Sequence, residues 1–219
     1  MRDTLDRYYT PAWPTKALLE RYMLTGGTCI LEPCAGTGGI AQVLKGVGRN
    51  IRVITGDIDP SVDVDHHWDF TQAQFRPDDF IKRLGQRPRN IITNPPYTVA
   101  EQVARAGLAI CNNVCLLLRL TWLEPVPSRL DLLQNLHRVL ILPRVDYKGD
   151  GKSDSTGSAW FIWNGTRKLA PGIAGEYGHT VFTEFVPSSE RPPRTERLHR
   201  PLGREQDPIQ GSLLGGGHG

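Results

Sequence analysis

The sequence predicts an α/β domain built on a mostly parallel sheet, and three observations carry that expectation. Short apolar, β-branched runs alternate with segments of helical periodicity through most of the chain, the order that parallel strands joined by crossover helices require. One run, Cys29-Ile30-Leu31, passes through the turn Glu32-Pro33-Cys34-Ala35-Gly36-Thr37-Gly38-Gly39 into a helical pattern at Ile40, Val43, Leu44 and Val47. Another, Asn90-Ile91-Ile92-Thr93, stops at Asn94-Pro95-Pro96-Tyr97, because two consecutive prolines cannot continue a hydrogen-bonded ladder.

The elements follow in order. Pro11 and Pro14 argue against an early helix, so Tyr8 to Pro11 reads as extended chain and the first helix as Lys16 to Leu24, capped by Thr15 and ended near Gly26-Gly27. After the glycine-rich turn, Ile51 to Ile54 is a strand that runs out at Gly56-Asp57-Ile58-Asp59-Pro60. His66-His67-Trp68-Asp69-Phe70 is a short strand-like run, and Arg76 to Leu84 is a helix with Asp78 and Asp79 at its start and Lys82 and Arg83 at its end, matching the helix dipole. Beyond Tyr97 come a helix over Ala100 to Cys111, a central strand over Val114 to Leu120, a turn at Thr121 to Pro125, a helix over Arg129 to Leu136 and a strand over Val139 to Leu142. The last strand is Ala159 to Trp163, with room for one or two strands before Pro187.

With 219 residues, 39% hydrophobic and 22% charged, the chain can bury one core. We read residues 1–186 as one domain and residues 187–219, rich in Pro, Arg and Gly, as a disordered basic tail. A net charge of +3 suits a polyanionic partner without demanding one. Cys29, Cys34, Cys111 and Cys115 lie in or beside apolar runs without a Cys-x-x-Cys pair, which points to buried thiols. His66 and His67 are neighbours in a strand, pointing oppositely, so no metal is expected. No apolar stretch is long enough for a signal peptide or a membrane span, and the expected location is cytoplasmic.

Two stretches carry candidate chemistry. The Asn94-Pro95-Pro96-Tyr97 corner can hold the Asn94 carboxamide and the Asn94 and Pro95 carbonyls on one side, with the Tyr97 ring facing the same space. An N–H₂ group can donate to such acceptors while its aromatic ring stacks on tyrosine; a plain strand-ending turn is the alternative. In the glycine-rich turn the backbone can approach a ligand closely. Its spacing lacks the full G-x-G-x-x-G, and Glu32 stands where a pyrophosphate would be repelled, so the acid suits a cationic ligand instead. Asp57, at a strand end downstream, suits two ribose hydroxyls, with a solvated turn as the alternative. The loop over residues 143–158 contains Arg144, Lys148 and Lys152 and leads to Trp160. Two readings of it stand level: a phosphate and base clamp, or a solvated connection whose aromatics belong to the core.

Tyr9-Thr10-Pro11, then Glu32 to Gly38, then Asn94 to Tyr97, in that order, resemble the S-adenosylmethionine-dependent amino-methyltransferases. The nearest resemblance is to the short phage and prophage DNA adenine-N6 methyltransferases of gamma-type motif order, over residues 8–165. The resemblance implies a class I methyltransferase fold, Rossmann-like, with a mostly parallel seven-stranded sheet and a terminal antiparallel strand. It also implies S-adenosyl-L-methionine as cofactor, DNA as partner, and a monomer or weak dimer. By the same resemblance Thr10 and Pro11 close the cofactor pocket, and Glu32, Pro33, Ala35, Gly36, Thr37 and Gly38 surround the cofactor. Ile58 meets its adenine ring, Asp69 and Phe70 complete the pocket, and Asn94, Pro95, Pro96 and Tyr97 seat the target. The implied reaction is direct in-line methyl transfer to a flipped-out or unpaired adenine. Pro33-Cys34 lies inside the cofactor loop and so is not read as a cytosine-C5 nucleophile. RNA methyltransferases and glutamine-N5 protein methyltransferases also use Asn-Pro-Pro-Tyr, and a cofactor-binding protein without catalysis is a further alternative. With little chain left for a target-recognition domain, very short or loosely defined targets are expected.

Overall fold

In the computed structural model, which describes residues 9–22, 29–48, 50–71, 76–111, 113–147, 155–164 and 182–191, the apolar runs become strands bounded by turn-forming residues. The strands are β1 (Cys29–Glu32), β2 (Arg52–Asp57), β3 (His66–His67), β4 (Asn90–Thr93), β5 (Asn113–Arg119), β6 (Arg138–Ile141), β7 (Ser158–Asn164) and β8 (Phe182–Phe185). The helices are α1 (Ala12–Arg21), α2 (Gly39–Lys45), α3 (Pro77–Leu84), α4 (Ala100–Ile110) and α5 (Leu130–Gln134). One sheet results, in the order β3-β2-β1-β4-β5-β7-β6-β8. Of the described strands, only β7 runs antiparallel to its neighbours.

The mostly parallel α/β architecture is as expected from the sequence, with eight described strands rather than seven. The antiparallel strand is not terminal: β7 lies inside the sheet, and β8 follows it and pairs with the outer side of β6. From β1 the strand order runs outward in two directions, to β2 and β3 on one side and to β4 and β5 on the other. The ends of β1 and β4 thus flank a topological switch point, where open α/β sheets form their ligand crevice.

A sheet covered on both faces needs apolar side chains at nearly every position, and the period of two sorts them into two layers. Leu31, Ile91, Val114, Leu116, Leu118, Val139, Phe161 and Trp163 face the layer that holds Phe80, Leu84, Val103, Ala104 and Leu132 of α3, α4 and α5. Their neighbours Ile30, Ile92, Cys115, Leu117, Leu140, Trp160 and Ile162 face the other layer, with Leu18 of α1 and Ile40 and Leu44 of α2.

Several local expectations give way. Pro11 and Pro14 do not delay the first helix: Pro11 is the residue before α1, and Pro14 sits in its first turn, where a missing N–H leaves no bond unmade. Thr15 is therefore inside the helix and buried rather than a cap. Helix α2 stops at Lys45, leaving Val47 outside it and 48% exposed. The residues 187–191 at the start of the expected tail include a 3-10 turn, Ser188–Glu190, and Glu190 pairs with Arg21 of α1. Residues 192–219 lie outside the described residues.

Candidate active site

Beyond the end of β1 the chain folds into a tight turn held by its own backbone: Gly38 N–H donates to the Ala35 carbonyl at 2.8 Å, and Ala35 N–H donates to the Gly56 carbonyl of β2 at 2.9 Å. Gly36 and Gly38 have φ of 50° and 78°, the left-handed region where a side chain is strained, so glycine is required at both. The loop is tied to β2 a second time. Asp57 accepts from Gly36 N–H at 2.8 Å through Oδ2 and from Asp59 N–H at 2.9 Å through Oδ1. Each carboxylate oxygen keeps a further lone pair, so Asp57 both braces the loop and retains acceptor capacity for hydroxyl groups. Ile58, next along, is 57% exposed, an apolar side chain left uncovered beside this acceptor. Asp59 caps its own turn, accepting from Ser61 N–H at 2.9 Å and Ser61 Oγ at 2.7 Å.

Glu32 lies beneath the loop and is 1% exposed. Burial pushes its carboxyl well above the usual range, the Ala41 N–H opposes that shift, and the nearby Asp57 charge adds to it. Its Oε2 has no hydrogen-bond partner among the described residues. Burial, with the Asp57 and Glu32 charges, likewise pushes the Cys34 thiol up, so it stays protonated and is no nucleophile. Pro33 and Ala35 are buried, and Thr37 is exposed at the tip of the loop. Asp69 accepts from Thr71 N–H at 2.8 Å and Thr71 Oγ1 at 2.6 Å. Phe70 is 3% exposed and packs edge-on against Phe80 with ring centroids 5.4 Å apart.

Strand β4 pairs directly with β1, so the Asn94 corner emerges next to the glycine-rich loop. Asn94 is half-buried, and its Nδ2 donates to Thr10 Oγ1 at 3.0 Å. Thr10 itself is buried, ahead of α1. Pro95 is buried, Pro96 is half-buried, and Tyr97 opens a 3-10 turn, Tyr97–Val99. The Arg119 guanidinium, at the end of β5, lies over the Tyr97 ring with 4.6 Å between its central carbon and the ring centroid.

This arrangement places a glycine-rich loop, a strand-end acid and an Asn-Pro-Pro-Tyr corner at the strand ends beside the switch point, and solved structures share the sheet that carries them. Over 74% of this chain, the type I restriction-modification methyltransferase subunit from Streptococcus thermophilus superposes with a TM-score of 0.56 at 11% identity. A protein described as a class I S-adenosylmethionine-dependent methyltransferase from Listeria monocytogenes superposes with a TM-score of 0.54 at 13% identity, over 90% of this chain and 73% of that one. The fold is that of the class I methyltransferases. The 23S rRNA methyltransferase ErmE also superposes, with a TM-score of 0.52 at 16% identity, over 76% of this chain and 73% of its own. The chain covers 46% of the length of the restriction-modification subunit. No family model matches the sequence, and no curated protein matches it.

On this class I fold the expected site residues separate into groups. Thr10 and Pro11 precede α1; Glu32, Pro33, Ala35, Gly36, Thr37, Gly38, Asp57, Ile58, Asp69 and Phe70 lie at or just after the ends of β1, β2 and β3, and Asn94 to Tyr97 follow β4. The nucleic-acid clamp is not assembled around Trp160, which is fully buried and donates from Nε1 to the Pro14 carbonyl at 2.8 Å. Its neighbour Trp163 is buried too, with Nε1 donating to the Leu132 carbonyl at 2.9 Å. The start of the loop is also anchored, with Val145, Asp146 and Tyr147 buried and the Tyr147 hydroxyl donating to Ser158 Oγ at 2.9 Å. Arg144 is exposed, and Lys148 and Lys152 lie outside the described residues. Arg119 escapes the sequence reading beyond its place at a strand end, since nothing in the spacing from 97 to 119 shows that the two side chains stack. Among the described residues no cluster of His, Cys, Asp or Glu can hold a metal, and no helix is long and apolar enough to cross a membrane.

Proposed function

We propose that the chain transfers a methyl group from S-adenosyl-L-methionine to the exocyclic N6 amine of adenine in DNA. The observation that carries this reading is the Asn94 carboxamide, held by Thr10 at the corner after β4, next to the glycine-rich loop. When bound, the cofactor would supply the methyl group on a sulfonium centre, its sulfur leaving as a neutral thioether while the methylated amine gives up one proton to water. The residues present fit such a ligand. Asp57 has acceptor capacity for ribose hydroxyls, Ile58 offers an exposed apolar surface for an adenine ring, and among the described residues, adjacent ones aside, no atom lies within 4 Å of where a side chain would start at Gly36 or Gly38.

The acceptor side needs no covalent enzyme intermediate. An exocyclic aromatic amine is a weak nucleophile because its lone pair is delocalised into the ring. Acceptors at Asn94 Oδ1 and the Pro95 carbonyl favour a more tetrahedral nitrogen, and Tyr97 fixes the base by stacking. A duplex hides that amine from a crevice, so the base enters flipped out or unpaired, at a cost of a few kcal/mol.

Structural likeness to an rRNA methyltransferase comparable to that with the restriction-modification subunit makes RNA the rival acceptor. The test is incorporation of a labelled methyl group into unmethylated plasmid DNA, total RNA and protein, assayed side by side and followed by nucleoside analysis. N6-methyladenine in DNA is the expected product. Label confined to RNA or to glutamine side chains overturns the DNA assignment, and tight cofactor binding without transfer overturns catalysis.

A further inference from the structure

The segment ahead of α1 touches both halves of the candidate site. Thr10 Oγ1 accepts from Asn94 Nδ2 at 3.0 Å, and a side-chain carbon built on Gly39, the first residue of α2, would lie 2.3 Å from the Thr10 carbonyl oxygen. A contact that short is impossible, so the seating of Thr10 depends on glycine at 39. Three separate chain segments meet here: the extended residues before α1, the loop from β1 to α2, and the corner after β4.

A carboxamide has chemically opposite ends, and only its oxygen can accept a hydrogen bond from an amine. A freely rotating Asn94 would present its own N–H₂ half of the time, donor facing donor. With Nδ2 committed to Thr10, Oδ1 is the end that remains for the target. A hydroxyl can donate as well as accept, so what Thr10 holds is the position and plane of the carboxamide, with Nδ2 turned toward Thr10 in the structure.

We propose that Thr10 is a positioning residue for the acceptor amine: it sets the orientation of the Asn94 carboxamide, and Gly39 provides the clearance that lets it do so. This rests on the reading of Asn94 to Tyr97 as the amine seat. It assigns Thr10 a role distinct from contact with the cofactor, and it makes Gly39 matter to the acceptor step as well as to the loop.

The test uses the full chain with tritiated S-adenosylmethionine and unmethylated plasmid DNA, with variants Thr10→Val, Thr10→Ser, Gly39→Ala and Asn94→Ala and the double variant Thr10→Val/Asn94→Ala. Loss of one orienting hydrogen bond lowers kcat at saturating cofactor by roughly 3–10-fold in Thr10→Val, while cofactor affinity stays within about twofold. Thr10→Ser restores kcat, Gly39→Ala reproduces the Thr10→Val defect, and the double variant is no slower than Asn94→Ala alone. A second readout needs no turnover: the Asn94 side-chain amide protons, followed by ¹⁵N NMR, exchange faster in Thr10→Val than in the wild type or Thr10→Ser. Unchanged exchange, or a Thr10→Val defect that appears wholly as weaker cofactor binding, overturns the proposal. Full activity in Asn94→Ala, or absence of transfer by the wild type to any acceptor, instead sinks the reading of the amine seat. Amide exchange then still decides whether Thr10 holds Asn94.

Discussion

Replacing Trp160 by phenylalanine separates a core role from a nucleic-acid role. In the structure this indole is fully buried in the layer beneath α1 and α2, and it gives its N–H to the Pro14 carbonyl at 2.8 Å. The substitution removes that donor from a carbonyl that still accepts within the α1 ladder, a loss of about 0.5–1.5 kcal/mol. It also removes the volume of the second indole ring, and a partly collapsed cavity adds about 1–2 kcal/mol. The total, roughly 1.5–3.5 kcal/mol, is a large share of the stability of an ordinary domain. For a urea dependence near 2 kcal/mol per molar, the unfolding midpoint falls by about 0.8–1.8 M with an unchanged slope. The assay is equilibrium urea unfolding followed by circular dichroism, with fluorescence anisotropy of a labelled single-stranded oligonucleotide measured under native conditions. A midpoint within about 0.3 M of wild type, together with weakened oligonucleotide binding, would refute the core assignment.

Asp57→Ala removes acceptors at the strand end and frees the Gly36 amide. Cofactor affinity by calorimetry is expected to fall by about 1.5–3 kcal/mol, roughly 10–150-fold, and an unchanged dissociation constant would sink the ribose assignment. Glu32→Gln tests the buried acid. Because its folded-state pKa is raised, the native state keeps a proton that the unfolded chain has released, so wild-type stability falls as pH rises from the ordinary glutamate range through the folded pKa. Glutamine does not ionise, so the variant should gain on wild type as pH rises across that window; parallel stability profiles would mean that Glu32 is not held protonated. Arg119→Met removes a cation from the face of Tyr97, an interaction of about 0.5–2 kcal/mol, and should slow turnover by roughly 2–30-fold without altering cofactor affinity. Wild-type kcat in that variant would show that the stacked guanidinium does not set the ring.

The sheet was legible because the strands that build it are buried on both faces. Ile91-Ile92, Val114 to Leu118 and Ala159 to Trp163 are continuous apolar runs, and a parallel sheet between helical layers needs such runs. Boundaries were less legible where backbone hydrogen bonding overrides composition. Prolines that read as helix breakers sit at the one end of a helix where they cost nothing, and β2 continues three residues past its apolar part to reach Asp57, since its ladder with β1 and β3 extends that far. The tryptophans misled for a related reason. Indole nitrogens are satisfied here by carbonyls of Pro14 and Leu132, 146 and 31 residues distant, and no local pattern reveals such partners.

The same division explains the candidate site. Motifs whose chemistry is local, such as glycines required by positive φ or a strand ended by two prolines, can be read residue by residue. What orients them cannot, because the orienting contacts join segments that the sheet alone brings together. Asn94 depends on Thr10, 84 residues earlier, Asp57 braces Gly36 across 21 residues, and Arg119 covers Tyr97 from the next strand. Each contact joins segments that follow β1, β2, β4 or β5 to one another or, for Thr10, to the chain ahead of α1, so strand order brings three separate sequence motifs together. A substitution that keeps every motif residue but shifts that seating, Gly39→Ala being the sharpest case, should therefore impair the site with all of its recognisable residues still in place.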